Sequence, residues 1–170
     1  EANETDNFLL VLPLHHAFAF TGNLLLPLRL GAEISLVESL RTVGENIREV
    51  SPTVVIAVPL LIEKVYGRIL AGIRASAVGR LLLKLGIRGP IKHGVKKKLG
   101  GRIRFMISGG APASEDVLRG LQRLGVPIIE GYGTTETAPV AALNPPKRPK
   151  PGTIGLPLPG VRLRIVNPNE

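Results

Sequence analysis

Apolar and polar positions fall in short blocks along this chain, and the period changes from block to block. Residues 8–12 form a continuous apolar run closed by Pro13, the pattern of a buried strand. Residues 17–30 carry enough apolar character for a helix despite Pro27, and Gly31 ends it. Residues 33–37 read as a second strand. Thr42 and Glu45 have the spacing of a reciprocal N-terminal cap, with Val43, Ile47 and Val50 on one face of the helix that follows. Residues 53–58 are apolar and β-branched between two prolines, the clearest buried strand in the chain. Leu61, Val65, Ile69 and Ile73 then recur at helical spacing.

The second half repeats the scheme. Ile103, Phe105 and Ile107 alternate with Arg102, Arg104 and Met106, which predicts a half-buried strand with the first set inward. Ser114 is placed to cap a helix whose buried stripe is Val117, Leu118, Leu121 and Leu124, with Glu115 and Asp116 at its positive end. Residues 126–129 read as a strand, 143–160 as a Pro-rich loop and 162–166 as a last strand. Strands alternating with helices imply an α/β fold, a mainly parallel sheet flanked by helices. Ligands bind such sheets beyond the carboxyl ends of the strands. The loops after Leu12, Val58, Ile107 and Ile129 are therefore where chemistry is expected.

Composition narrows the picture. The 170 residues are 44% hydrophobic but only 4% aromatic, so the core is aliphatic. Twenty Gly and fifteen Pro fit many short elements joined by tight turns, and the apolar fraction is too high for disorder. Without cysteine, disulfides and thiolate metal sites are excluded, and a reducing, cytoplasmic setting is compatible. No apolar stretch reaches the ~20 residues of a membrane span. The chain starts Glu1-Ala2-Asn3-Glu4 and stops just after an apolar run, so both ends read as cut.

The net charge of +9 is concentrated. Ten Lys or Arg and no Asp or Glu fall within residues 74–104, leaving the rest close to neutral. Nucleic-acid binding by the whole domain is not implied. This stretch is either a solvated helix face or a peripheral contact, with an anionic membrane or with phosphates of a ligand.

Three segments carry candidate chemistry. In Glu130-Gly131-Tyr132-Gly133-Thr134-Thr135-Glu136-Thr137, glycines allow close approach and Tyr132 offers a flat face for a heterocycle. The hydroxyls suit phosphate, and Glu136 suits a hard cation such as Mg²⁺; the plainer alternative is a polar turn. Ser108-Gly109-Gly110-Ala111-Pro112 is a strand-to-helix loop of small residues, either ligand-facing or simply a turn. Leu12-Pro13-Leu14-His15-His16 ends the first strand; a metal pair is not expected there, because adjacent side chains diverge and no third ligand is near. No P-loop occurs, the dinucleotide fingerprint fails because Glu136 stands where its third glycine belongs, and the Gly-x-Ser-x-Gly elbow is absent.

Together these segments resemble the acyl-adenylate-forming family of acyl-CoA synthetases, luciferases and peptide-synthetase adenylation domains. Gly131-Tyr132-Gly133-Thr134-Thr135-Glu136 matches that family's Tyr-Gly-x-Thr-Glu motif, and Leu12–His16 its Leu-Pro-Leu-x-His motif. Ser108–Pro112 matches its Gly-Gly-Ala-Pro adenine loop, and Gly152–Gly160 its Gly-x-x-Gly-x-Pro-x-Pro-Gly stretch. Four matches in order are specific. Residues 52–59 and 63–66 look most like long-chain fatty-acid–CoA ligases.

The resemblance implies a two-step reaction. A fatty acid or other carboxylic acid attacks ATP to give acyl-AMP, and coenzyme A then displaces AMP. It further implies that Thr135 contacts phosphate, Glu136 holds Mg²⁺ and His16 borders the acyl pocket. Tyr132 would pack on adenine with Gly109, Gly110, Ala111, Pro112 and Glu130 around it, and Gly131, Gly133 and Thr134 would complete the site. By the same resemblance, residues 1–170 are part of an AMP-binding domain. Its phosphate loop, ribose-binding Asp and C-terminal domain with a catalytic Lys would lie outside these residues. The rivals are an adenylation domain for another carboxylate and a non-catalytic nucleotide-binding or scaffold domain. Acyl chain length and oligomeric state are not readable from the sequence.

Overall fold

The computed structural model describes residues 2–166. Its elements run β1 (Asn7–Leu10), α1 (Ala17–Ala19), a π-helical turn (Phe20–Leu25), α2 (Leu26–Leu30), β2 (Glu33–Leu36), α3 (Val43–Val50) and β3 (Val54–Ala57). Then follow α4 (Pro59–Ala75), α5 (Ala77–Lys84), α6 (Gly89–Lys98), β4 (Phe105–Ser108), α7 (Glu115–Arg123) and β5 (Ile128–Tyr132). A 3₁₀ turn (Thr135–Thr137), β6 (Ala142–Leu143) and β7 (Leu156–Pro157) close the list.

The strands form one seven-stranded sheet in the order β2-β1-β3-β4-β5-β6-β7. β1 to β5 pair in parallel, with Phe8 opposite both Ile34 and Val54, and Ile56 opposite Ile107. β6 and β7 add antiparallel, Tyr132 lying opposite Ala142. The chain leaves β1 toward β2 on one side and returns to β3 on the other. Between β1 and β3 the order reverses, and there the loops part to leave a crevice at the carboxyl edge.

Helices cover both faces. On one, Ile47 of α3, Ile62 and Ile69 of α4, Ile91 and Val95 of α6, and Leu118 and Leu121 of α7 pack on Leu9, Val55, Met106 and Ile128. On the other, Phe8, Val54 and Ile56 lie under Phe18 and Leu30 of the α1–α2 segment. Fully burying one such side chain is worth roughly 1.5–3 kcal/mol, so the central strands are the best-anchored part of the molecule.

Covering both faces reverses one expectation. In β4 the fully buried residues are Met106 and Ser108, on the α4–α7 side, whereas Phe105 and Ile107 are half-buried against the second cluster. Alternation with arginines stops at Arg104, because the strand begins only at Phe105.

Other local expectations are also corrected. Thr42 does not cap α3: its hydroxyl bonds within a turn to Ser39, and no side chain caps that helix. Ser114 has extended N-cap geometry but makes no side-chain cap bond. The segment 143–160 holds the edge strand β7, and no strand forms over 162–166. The helix end at Gly31 is left-handed, at φ 69°, as a terminal glycine predicts.

At the amino-terminal edge, away from the crevice, Asp6 joins three strands. Its buried carboxylate accepts from the Thr53 hydroxyl at 2.6 Å and from Arg104 through both oxygens at 2.8 Å. Burial alone opposes ionisation of Asp6. The bonds from Thr53, the Asn3 N–H and Arg104, with the charge of Arg104, outweigh it and hold the carboxyl below its ordinary value.

Candidate functional site

Two clefts open side by side at the carboxyl edge. The first, about 490 Å³, lies at the reversal point between β1 and β3. Leu12 and His16 enter from the loop after β1, Val58 from the loop after β3, and Gly131 to Glu136 from the end of β5 and its turn. The second, about 410 Å³, lies beyond β4 and β5, walled by Ser108, Gly110, Ala111, Pro112 and Glu130, with Gly152 to Ile154 closing it. Gly110, Gly131, Tyr132 and Gly133 line both. Tyr132, 44% exposed, is the bulkiest of the four residues that border both spaces.

The turn after β5 explains its own residues. The chain folds back so tightly that a Cβ on Gly133 would collide with the Pro139 carbonyl, so glycine is required there. Thr134 and Thr137 then make the reciprocal cap that Thr42 and Glu45 do not: the Thr134 N–H donates to the Thr137 hydroxyl at 2.8 Å, and the Thr134 side chain accepts from the Thr137 N–H. Ala138 ends the turn in the left-handed region at φ 56°, an uncommon conformation for a residue with a side chain.

That bonding separates the three threonines. Thr137 is committed to Thr134, because its hydroxyl also donates to the Thr134 carbonyl at 2.9 Å. Thr134 bonds to the Glu136 carboxylate as well. Thr135 makes no side-chain hydrogen bond within the described residues and lies on the cleft wall. Glu136 is fully exposed; its own N–H and then the Thr134 hydroxyl stabilise the carboxylate and lower its pKa. An anionic oxygen and a neighbouring hydroxyl thus lie together on the wall of the first cleft.

The second cleft has a different character. Glu130 is half-buried, which raises its pKa, while N–H donors from Gly152, at 2.9 Å, and Ala113 act in the opposite direction. The Ala113 bond ties the loop before α7 to β5, and the Gly152 bond ties the loop 150–154 to it. Asn144 reinforces the tie: buried, it accepts from the Lys150 N–H at 2.9 Å and donates to the Thr153 carbonyl. Ser108, also buried, has a hydroxyl with no partner among the described residues and lines this cleft. Ser108, at the head of the candidate loop 108–112, and Gly152 to Ile154, within the Gly-x-x-Gly-x-Pro-x-Pro-Gly stretch, had no individual role from the sequence, and the structure places them on this cleft's wall. An orphaned hydroxyl at a strand end has no pattern in a sequence.

The remaining expected residues fall as follows. Gly110, Ala111 and Pro112 line the second cleft, and Gly110 takes φ 83°. Gly109 lies beneath the walls, where a Cβ would stand 2.7 Å from the Phe18 ring. His16 is exposed at the start of α1 and caps nothing with its side chain. The His15 and His16 rings do not diverge; their centroids are 4.3 Å apart. Among the described residues no group of three metal-ligating side chains occurs. Glu136 and the Thr135 hydroxyl are nevertheless hard oxygen donors. They suit a magnesium ion held chiefly by phosphates and water, with one or two protein oxygens.

A family model described as AMP-binding enzyme matches residues 1–170. The chain belongs to the AMP-binding enzyme family. Its relatives include human long-chain-fatty-acid–CoA ligase 1, 30% identical over 97% of this chain and 26% of that protein. The mitochondrial malonate–CoA ligase of Xenopus laevis is 32% identical over 96% of the chain and 27% of that protein. The chain therefore spans about a quarter of the length of the curated relatives it matches. Among solved structures, a malonyl-CoA ligase in a ternary product complex with methylmalonyl-CoA and AMP superposes with a TM-score of 0.73. That pair is 25% identical, and the match covers 97% of this chain and 32% of that one. The mixed α/β sheet flanked by helices is that of adenylate-forming ligases.

Proposed function

We propose that this chain forms part of the ATP and acyl site of an acid–thiol ligase. The ligase converts a carboxylic acid and ATP to acyl-AMP and pyrophosphate, then transfers the acyl group to coenzyme A. The observation that carries the reading is the pair of clefts sharing Tyr132 as a wall, with Thr135 and Glu136 at the mouth of the first. One compartment suits a flat heterocycle and the other a carboxylate, and the reacting atoms meet where the two join.

In this reading adenine enters the second cleft, between Tyr132 and the loop 110–112, with Ser108 and Glu130 below it. The Thr135 hydroxyl donates to phosphate. Glu136 would hold magnesium, which when bound would neutralise phosphate charge that otherwise repels the incoming carboxylate. His16 and Val58 border the acyl compartment. The phosphate loop, ribose-binding Asp and catalytic Lys that the family likeness implies lie outside these residues, so the chain supplies walls and two polar contacts, and by itself forms no acyl-CoA.

A long-chain fatty acid is the acyl group favoured here, on the likeness of residues 52–59 and 63–66 to long-chain ligases and on the human relative. The malonate ligase of Xenopus supports the second reading, a short or polar carboxylate. AMP and thioester formation should be measured for the full-length protein with palmitate, malonate and benzoate at matched concentrations. Preferred turnover of palmitate is expected; preferred turnover of malonate or benzoate replaces the acyl assignment, and turnover of none removes the ligase reading.

A further inference from the structure

We infer that α5 and α6 form a docking surface for an anionic membrane. The first observation is geometric. On α5, Val78, Leu81, Leu82 and Leu85 share one stripe at helical spacing. Only Leu82 is tucked against the core; Val78, Leu81 and Leu85 are 65%, 55% and 60% exposed. No residue of α5 is buried. The helix is held by the turn before it, where Ser76 caps it through the Gly79 N–H at 3.2 Å and Arg80 donates to the Arg74 carbonyl at 2.7 Å. An amphipathic helix that turns its apolar stripe outward is placed for an interface, not for a core.

The second observation is electrostatic and independent of the first. Between Arg74 and Arg104 there is no acidic residue. α6 buries Ile91, Val95 and then Leu99 against the core, which leaves Lys92, Lys96 and Lys97 outward. With Lys84 and Arg88 these make no ion pair among the described residues. Uncompensated cations in the same segment as an exposed leucine stripe, with Lys84 and Arg88 flanking Leu85 along the chain, match a surface that is negative outside and apolar beneath, which is an anionic bilayer. Among the described residues no helix is long and apolar enough to cross a membrane, so the contact is one of lying on the surface.

The stripe and the cations stand apart from both clefts at the carboxyl edge, and the inference holds for any acyl substrate. It is tested by sedimenting the full-length protein with vesicles of phosphatidylcholine alone and of phosphatidylcholine with phosphatidylserine. Binding is expected only with phosphatidylserine and should fall as salt rises. Lys96→Glu with Lys97→Glu should lower it roughly thirtyfold or more, since each basic residue near such a surface contributes about a factor of five. Leu81→Glu, and separately Leu85→Glu, should lower it roughly tenfold by removing apolar insertion.

All three variants should keep full activity on a water-soluble substrate without vesicles, which shows that they are folded. Binding that persists in all variants, or that never depends on phosphatidylserine, overturns the inference. So does loss in the lysine variant with none in either leucine variant, because the apolar stripe then has no part. A raised KM for coenzyme A in the lysine variant, with no vesicle binding in the wild type, assigns the cations to coenzyme A phosphates and overturns it equally.

Discussion

Glu136 and Asp6 are carboxylates in opposite surroundings. Glu136 is fully exposed and contributes no packing, so Glu136→Gln should leave the fold intact while removing the charge proposed for magnesium. Carboxylate-dependent pyrophosphate release should fall severely with unchanged thermal unfolding; an unchanged rate would remove Glu136 from the site. Asp6 is the opposite case, a buried carboxylate at the far edge of the sheet. Asp6→Asn strips charge from the Arg104 and Thr53 bonds and should cost about 2–4 kcal/mol, somewhat less than a fully buried pair because Arg104 is 40% exposed. Its folded pKa is depressed, so its stabilisation is present above the unfolded carboxylate value. That stabilisation is lost as pH falls through the still lower folded value. Urea unfolding as a function of pH should show acid sensitivity in the wild type that Asp6→Asn lacks; equal acid sensitivity in both would contradict this.

At the scale of elements, the 3₁₀ turn after β5 makes a sharp comparison. Thr137→Val removes the two bonds made by the Thr137 hydroxyl and should cost about 1 kcal/mol, as for loss of a helix cap. Thr135→Val removes a hydroxyl with no internal bond and should leave stability unchanged while raising the KM for ATP. Chemical unfolding and ATP dependence of both variants would show whether the two threonines separate in this way. Much of this scale was legible in advance. Residues 53–58 and the spacing of Leu61, Val65, Ile69 and Ile73 pointed to β3 and α4 because burial on a sheet or helix face imposes those periods.

What was not legible has a physical cause in each case. Thr42 and Glu45 have the spacing of a cap, but Ser39 takes the Thr42 hydroxyl first, and spacing carries no information about a competing partner. The side of β4 was inverted because Arg102 and Arg104 precede the strand, so their alternation said nothing about it. The site loops were located by the rule that parallel sheets bind at their carboxyl edge. Their arrangement as two clefts was not, since it depends on how the chain brings Gly110, Gly131, Tyr132 and Gly133 to border both.

For the whole molecule, the arrangement of the sheet decides where chemistry can occur. Reversal between β1 and β3 opens the first cleft, and the antiparallel addition of β6 and β7 to β5 brings the segment 152–154 over the second. If the clefts belong to different reactants, Tyr132→Ala should raise the KM for ATP, with aromatic contacts worth about 0.5–1.5 kcal/mol beyond burial. Tyr132→Phe should restore most of the loss. Steady-state kinetics of both variants over ATP and carboxylate would expose an error if neither dependence moved. The central claim, that these clefts serve carboxylate activation at ATP, is tested most directly by exchange of labelled pyrophosphate into ATP, catalysed by the full-length protein without coenzyme A. The account predicts exchange that requires the carboxylic acid and collapses in Glu136→Gln; exchange that ignores the acid, or survives undiminished in that variant, would contradict it.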